Sequence, residues 1–251
     1  MRRILSARNR PVLEKFTSGN VLLAFDFDGT LAPIVSDPDR AAIRPSTRKL
    51  LQTLASQYPS IVVSGRSRAD VHRRLRGIGF KETIGNHGIE PWSSSHAIAR
   101  AVAAWVPPLR RGLKGFRGVV VENKRFSLSV HYRKERKKRA AVDAISEIAR
   151  TLPGARLVGG KQVVNIVPKG APDKGIAVER ETGKRHCDKA IYVGDDETDE
   201  RVFALARPGR LLTIRVGANR FSLARFYLRD QREIDRLLRT LIELRTDHLS
   251  R

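Results

Sequence analysis

Apolar positions along the chain come in short blocks with two different spacings. Val21-Leu22-Leu23-Ala24-Phe25 is continuously apolar and closes on Asp26-Phe27-Asp28-Gly29-Thr30. A run of that length ending in carboxylates and glycine predicts a buried strand that delivers polar groups to its C-terminal end. Leu50, Leu51 and Leu54 recur at helical spacing, which predicts a helix over residues 45–57 with Pro45 in its first turn. Ile61-Val62-Val63 predicts a second strand, ending in Ser64-Gly65-Arg66. A helix over 67–75 follows, then a third strand near Thr83-Ile84 that leads into Gly85-Asn86-His87-Gly88.

The pattern changes near residue 92. A helix is expected over 94–106, stopped by Pro107-Pro108, then strands over 118–122 and 126–132 joined by Asn123-Lys124-Arg125. Residues 135–152 carry Ala141, Ile145, Ile148 and Ala149 on one stripe, a long helix ended by Pro153-Gly154. Strands over 156–158 and 162–167 flank Gly159-Gly160. This αββαββ block predicts an inserted domain over 92–167, dividing the remainder into a core of 1–91 and 168–251. Alternation resumes after Pro168, with a helix over 172–181 and a strand over 190–193. That strand ends in Gly194-Asp195-Asp196-Glu197-Thr198-Asp199-Glu200. A helix over 198–206, a strand over 211–216 and a helix over 230–244 complete an α/β chain with a parallel sheet.

Composition narrows the class. At 251 residues the chain suits one large domain or two modest ones, and 41% hydrophobic residues exclude wholesale disorder. No apolar run approaches the roughly 18 residues of a membrane span. Met1-Arg2-Arg3-Ile4-Leu5 is basic, but no apolar stretch follows it, so a secretory signal is not expected. Cys187 is the single cysteine, which fits a reducing compartment, and a cytoplasmic setting is expected. Lys plus Arg number 49 against 26 acidic residues, a net charge of +23 that invites a nucleic-acid reading. The basic residues are spread widely, however. The densest run, Arg133-Lys134-Glu135-Arg136-Lys137-Lys138-Arg139, leads into a helix and has no aromatic interleaved with it, so stacking on single strands is not expected.

Two strand ends carry carboxylates: Asp26 with Asp28, and Asp195, Asp196 and Asp199. In a parallel sheet the C-terminal strand edges open onto one crevice. Carboxylates gathered there repel one another unless a hard cation offsets them, and Mg²⁺ is the economical choice. Ser64, after the second strand, and Lys174, at the head of a later helix, add a hydroxyl and an ammonium. That combination suits a phosphate, with one carboxylate free to act as a nucleophile. Each piece alone has a plainer reading as a turn, a helix cap or a solvated lysine.

Asp26-Phe27-Asp28-Gly29-Thr30-Leu31 resembles the first motif of the haloacid dehalogenase-like phosphohydrolases. Ser64, Lys174 and Gly194 to Asp199 resemble their second, third and fourth motifs. The resemblance implies a Rossmann-like core with a C2-type α/β cap at the insert. A narrower resemblance is carried by Gly85-Asn86-His87-Gly88-Ile89-Glu90 and by Val121-Glu122-Asn123-Lys124-Arg125-Phe126-Ser127-Leu128-Ser129-Val130-His131-Tyr132-Arg133. Both segments are similar to trehalose-6-phosphate phosphatases. This implies that Arg66, His87, Gly88, Glu122, Lys124, Arg133 and Lys161 bind substrate, and that a trehalose-6-phosphate synthase is a functional partner. Asn165 stands where many members carry a sugar-contacting glutamate, which leaves another phosphorylated sugar or glycoside as an alternative substrate. A basic nucleic-acid binder with a vestigial site is the alternative of another class.

The mechanism implied by the resemblance has Asp26 attacking phosphorus. Asp28 protonates the leaving oxygen and then activates water, while Ser64 and Lys174 hold the phosphoryl oxygens. Mg²⁺ is held by Asp26, the Asp28 carbonyl and Asp195, with Asp196 and Asp199 anchoring the metal or its waters.

Overall fold

The computed structural model describes residues 1–249. Its larger sheet has seven parallel strands: β1 (Arg2–Arg3), β2 (Val21–Phe25), β3 (Ser60–Val63), β4 (Glu82–Ile84), β9 (Lys189–Gly194), β10 (Leu211–Val216) and β11 (Phe226–Leu228). The spatial order is β1-β11-β10-β9-β2-β3-β4. Central strand β2 is buried on both faces, which is why its sequence does not alternate. Leu23, Phe25, Ile191 and Val193 pack with Leu13 of α1 (Arg10–Thr17), Leu51 and Leu54 of α2 (Pro45–Gln57) and Leu237 and Leu241 of α8 (Ile234–Leu249). Leu22, Ala24, Ile61 and Tyr192 pack on the other face with Ala177 and Val178 of α6 (Lys174–Lys184) and with Val202 and Phe203 of α7 (Glu200–Phe203). The short helix α3 (Arg68–Arg74) joins β3 to β4.

The second sheet is antiparallel and four-stranded. It comprises β5 (Val120–Asn123), β6 (Leu128–His131), β7 (Ala155–Gly160) and β8 (Val163–Pro168), in the order β5-β6-β8-β7. One face is covered by α4 (His96–Gly112) and α5 (Lys138–Thr151). Leu128, Val130, Val164 and Ile166 point into that core. By strand alternation Ser129, His131 and Asn165 belong to the opposite face. The register sets Glu122 beside Ser129 and Ser129 beside Asn165, a polar row across three strands. The predicted αββαββ order is the observed one.

Three local expectations differ. Helix α4 runs through Pro107 and Pro108 instead of stopping there. The prolines remove amide donors that would bond the carbonyls of Ala103 and Ala104, but both alanines are exposed, so water satisfies the freed acceptors. The stripe Val102, Trp105 and Leu109 stays buried and keeps the helix together. The helix expected over 198–206 is a 3₁₀ turn, Glu197–Asp199, followed by the one-turn α7. Asp196 caps its start, and Pro208 disfavours helical backbone at Arg207. The helix expected from residue 172 begins at Lys174, because the Asp173 side chain accepts the Ile176 amide and sets the N-cap there. Strands β1 and β11 and helix α1 were not anticipated.

Candidate active site

Strands β2 and β9 are neighbours, with Phe25 opposite Val193, and the Asp26 amide donates to the Val193 carbonyl at 2.9 Å. Residues just past the two strands therefore leave the same edge of the sheet. Carboxylate oxygens of Asp26, Asp195 and Asp199 lie within 4.8 Å of one another. Lys174, the first residue of α6, sits between two of them, its Nζ 3.0 Å from Asp26 Oδ1 and 2.7 Å from Asp199 Oδ1. Asp26, Asp199 and Lys174 are all buried.

Three carboxylates against one ammonium leave two negative charges uncompensated. Burial, reinforced by Asp199, Asp195 and Asp28, pushes the Asp26 carboxyl well above its ordinary value despite Lys174. Burial, Asp199 and Asp196 push Asp195 up to about 7. The Lys174 ammonium is held charged, because Asp199 and Asp26 outweigh the cost of burying it. A divalent cation is the group that would relieve this imbalance, and oxygen donors of this kind fit Mg²⁺ or a similar hard ion.

The acids are not equivalent. Asp199 Oδ1 accepts from the Tyr192 hydroxyl at 2.6 Å and from Lys174, and its Oδ2 accepts the amides of Asp195 and Asp196 at 2.8 and 2.9 Å. With both oxygens engaged, Asp199 braces the loop more than it offers a ligand. Asp196 is not among the three clustered acids, and its Oδ1 accepts the Glu197 amide at 2.7 Å. Asp26 and Asp195 are the acids with oxygens to spare. Gly29 is needed where it stands: its φ is +80°, and a Cβ there would run into the Asp195 carboxylate.

Asp28 is gripped by Arg66, with Nε to Oδ2 at 2.7 Å and Nη2 to Oδ1 at 2.8 Å. The same guanidinium donates to Asp70 Oδ2 and to the Pro38 carbonyl, each at 2.8 Å. Arg66, expected on the substrate, thus spends four donor contacts inside the protein, on the acid expected to move protons. Asp70 is in turn held by Arg74 at 3.0 Å, and these guanidiniums outweigh burial to keep its carboxyl below the usual range.

The polar face of the smaller sheet closes over this crevice. Lys124 Nζ donates to the Gly65 carbonyl at 3.0 Å and lies 3.8 Å from Glu122. Burial first, and Arg66 among its neighbours, pulls the Lys124 ammonium below its ordinary value. Glu122 contacts His131 at 2.8 Å, and that contact and Lys124 outweigh burial to lower its carboxyl. Ser127 donates to Asn86 Oδ1 at 2.5 Å, a further tie between the two sheets. Arg133 donates to the Val35 carbonyl at 2.8 Å, so its guanidinium meets a loop of the larger unit. Asn165 is buried and accepts from Ser129 Oγ at 2.6 Å.

His87 lies between the sheets, with φ +60° and neither ring nitrogen in a well-formed hydrogen bond, although the Asn165 side chain is beside it. Burial, with Lys124 and Lys174 nearby, holds its imidazole well below the usual range and therefore neutral. Ser64 is buried and its Oγ accepts the Arg66 amide at 3.2 Å. Gly88, at φ +117°, backs onto the Asp173 carbonyl, where a Cβ would not fit. Lys161 is exposed on the β7–β8 turn and, with Asp195, borders a cavity of about 410 Å³.

The other walls of that cavity are Arg215, Val216 and the loop Gly217 to Phe221, none of which was expected at the site. The available signal was topological: β10 lies beside β9, so its C-terminal end opens on the same crevice. Tyr192, one strand pleat before Gly194, was also missed; its hydroxyl is spent on Asp199.

The model of the family described as trehalose-phosphatase matches residues 24–230. A trehalose-phosphate phosphatase of Mycobacterium tuberculosis is 39% identical over 206 residues, covering 73% of this chain and 51% of that protein. The chain thus spans about half the length of this mycobacterial relative. A probable trehalose-phosphate phosphatase of Oryza sativa subsp. japonica is 31% identical over 252 residues, covering 92% of this chain and 68% of that protein. Among solved structures, the C-terminal domain of Candida albicans trehalose-6-phosphate phosphatase superposes with a TM-score of 0.77. Its identity is 22%, over 95% of this chain and 97% of that one, a likeness of fold. By family model and by sequence identity, the chain belongs to the trehalose-phosphatase family.

Proposed function

We propose that this chain hydrolyses trehalose 6-phosphate to trehalose and phosphate through an aspartyl-phosphate on Asp26. The observation that carries the reading is the cluster of buried Asp26, Asp199 and Lys174 with half-buried Asp195, left two charges short of neutral, in a chain of this family. In this reading residues 92–167 act as the cap, and 1–91 with 168–251 as the catalytic core.

Asp26 attacks phosphorus as the bond to the sugar oxygen breaks. Asp28 gives that oxygen a proton, then takes one from the water that attacks the aspartyl-phosphate and frees Asp26. To do so Asp28 must turn from Arg66, so Arg66 belongs with the groups that position the acid. Lys174 and Ser64 would bind the phosphoryl oxygens, and Lys174 steadies Asp26. Mg²⁺, held by Asp26 and Asp195 with Asp199 bracing their loop, would supply charge neutralisation on the phosphoryl group. Glu122, Lys124, Arg133 and Lys161 offer acceptors and donors to the sugar as the cap closes.

Asn165 favours one second reading, another phosphorylated sugar or glycoside, because an amide replaces the charge that many members present there. A reaction that phosphorylates or assembles the sugar must supply the substrate, and a trehalose-6-phosphate synthase is the proposed partner. A cytoplasmic setting goes with that pairing. Among the described residues no helix is long and apolar enough to cross a membrane. Phosphate release from a panel of sugar phosphates, with Mg²⁺ and with a chelator, tests the reading. Preferred, Mg²⁺-dependent release from trehalose 6-phosphate is expected; preference for another sugar phosphate would move the assignment to the second reading.

A further inference from the structure

Outside the catalytic group, the cavity beside Asp195 holds an aromatic side chain that packing does not explain. Phe221 is 77% exposed. Its ring is not loose on its loop, however. The Arg220 guanidinium lies 4.5 Å from the ring centroid. Asn219 Oδ1 accepts the Phe221 amide at 3.0 Å, and the Asn219 carbonyl accepts the Ser222 amide at 3.1 Å. The loop is also tied to the acidic motif. Glu200 Oε2 accepts the Leu223 amide and Oε1 accepts from Arg215, both at 2.9 Å. A large exposed ring on a braced loop, facing a cavity, is a feature of recognition surfaces rather than of solvated ones.

We propose that this cavity receives the sugar ring remote from the phosphate, with Phe221 as its stacking platform and Asn219, Arg220 and Lys161 as hydroxyl partners. The inference rests on the sugar-phosphate reading above and extends it to residues of the core. Asp195 lines the cavity, so the space borders the carboxylate cluster to which the proposed function assigns the phosphate. At about 410 Å³ it has the size of a small-ligand site. Its composition suits a pyranose, which has apolar C–H faces for an aromatic ring and a rim of hydroxyls for polar groups. Arg215 is paired with Glu200, and Lys161, Asn219 and Arg220 supply the donors of the lining. Lys161 comes from the cap side, which makes this a site that the two units build together.

The test compares trehalose 6-phosphate with acetyl phosphate, which has no ring, at saturating Mg²⁺. Phe221→Ala is expected to raise KM for trehalose 6-phosphate about 3- to 10-fold, with kcat and the acetyl phosphate kinetics unchanged. Phe221→Trp should restore a low KM, and Leu223→Ala, which removes an exposed side chain outside the cavity lining, should have no effect. Unchanged trehalose 6-phosphate kinetics in Phe221→Ala overturns the proposal. Equal losses on both substrates also overturn it and make the loop a support for the acidic motif. Dissociation of an oligomer by Phe221→Ala, with unchanged kinetics, would make Phe221 a contact to a second copy instead. A wild-type protein active on acetyl phosphate and inactive on trehalose 6-phosphate overturns the substrate reading alone. Phe221 is then judged by the same KM change on the sugar phosphate that the panel identifies.

Discussion

The strand-end crevice of the larger sheet and the polar face of the smaller one are both built from charged residues, yet they treat those residues differently. In the crevice, Lys174 and Asp199 are buried with their partners within 3 Å, and Asp199 uses both oxygens. Across the gap, Glu122 and Lys161 of the smaller sheet are exposed. A saturated buried network fixes geometry and tolerates little change. Glu122 and Lys161 keep their charges at the surface, where a ligand can reach them. On the function proposed above, the first region carries the chemistry and the second the selection.

Asp26→Asn should break the first region outright. The substitution keeps the shape and removes the nucleophile, so turnover on every phosphate ester should fall on the order of 10³-fold or more. Steady-state phosphate release measures it, and near-wild-type activity would contradict the aspartyl-phosphate route. Asp28→Asn sharpens the division within that region. Loss of proton transfer should lower kcat about 10²- to 10⁴-fold with KM little changed. A pure rise in KM would mean that Asp28 binds substrate.

Much of this was legible before the structure because the strand ends announce themselves. Val21 to Phe25 and Ala190 to Val193 each stop at a carboxylate cluster, and adjacency in a parallel sheet does the rest. Strands of two and three residues, β1 and β11, have no room to display a period. Helix α4 defied its prolines because exposed carbonyls can turn to water, a fact of burial that sequence does not carry. Arg66 was expected on the substrate from the family resemblance alone. Its partners Asp28, Pro38 and Asp70 come together only in three dimensions. Asn219 and Phe221 were invisible for a related reason: nothing in their own segment signals chemistry until β10 is set beside β9.

Cation dependence probes the charge imbalance. Asp195 is pushed up to about 7 by burial, Asp199 and Asp196, above the roughly 4 of an unfolded aspartate. The folded form therefore holds this proton more tightly, and Asp195 favours folding as pH falls below about 7 and loses that contribution as pH rises through it. A cation must displace the same proton, so apparent Mg²⁺ affinity should fall by up to about 10-fold per unit of pH below 7. Melting curves at pH 6 and pH 8, with and without Mg²⁺, should show the larger cation-induced rise at pH 8. Asp195→Asn should shrink the Mg²⁺-induced rise and leave only the pH dependence that Asp26 contributes, and a Mg²⁺ effect that ignores both pH and Asp195 would place the cation elsewhere.

The smallest effect concerns the second region. Asn165→Glu should leave trehalose 6-phosphate turnover unchanged or raise it a few-fold, while a carboxylate beside His87 raises the imidazole pKa, measurable by NMR titration. A large loss of turnover with an unmoved His87 would show that the Asn165–Ser129 bond supports the sheet and faces no ligand.

The most direct test of the division is the ratio of kcat/KM on trehalose 6-phosphate to that on acetyl phosphate, measured at saturating Mg²⁺ for wild type, Glu122→Ala and Lys124→Ala. Each lost polar contact is worth about 1–3 kcal/mol, so each variant should lose roughly 5- to 150-fold on the sugar phosphate and stay within about 2-fold on acetyl phosphate. Parallel losses on both substrates would contradict the account, because the polar face would then be part of the chemistry or of the fold.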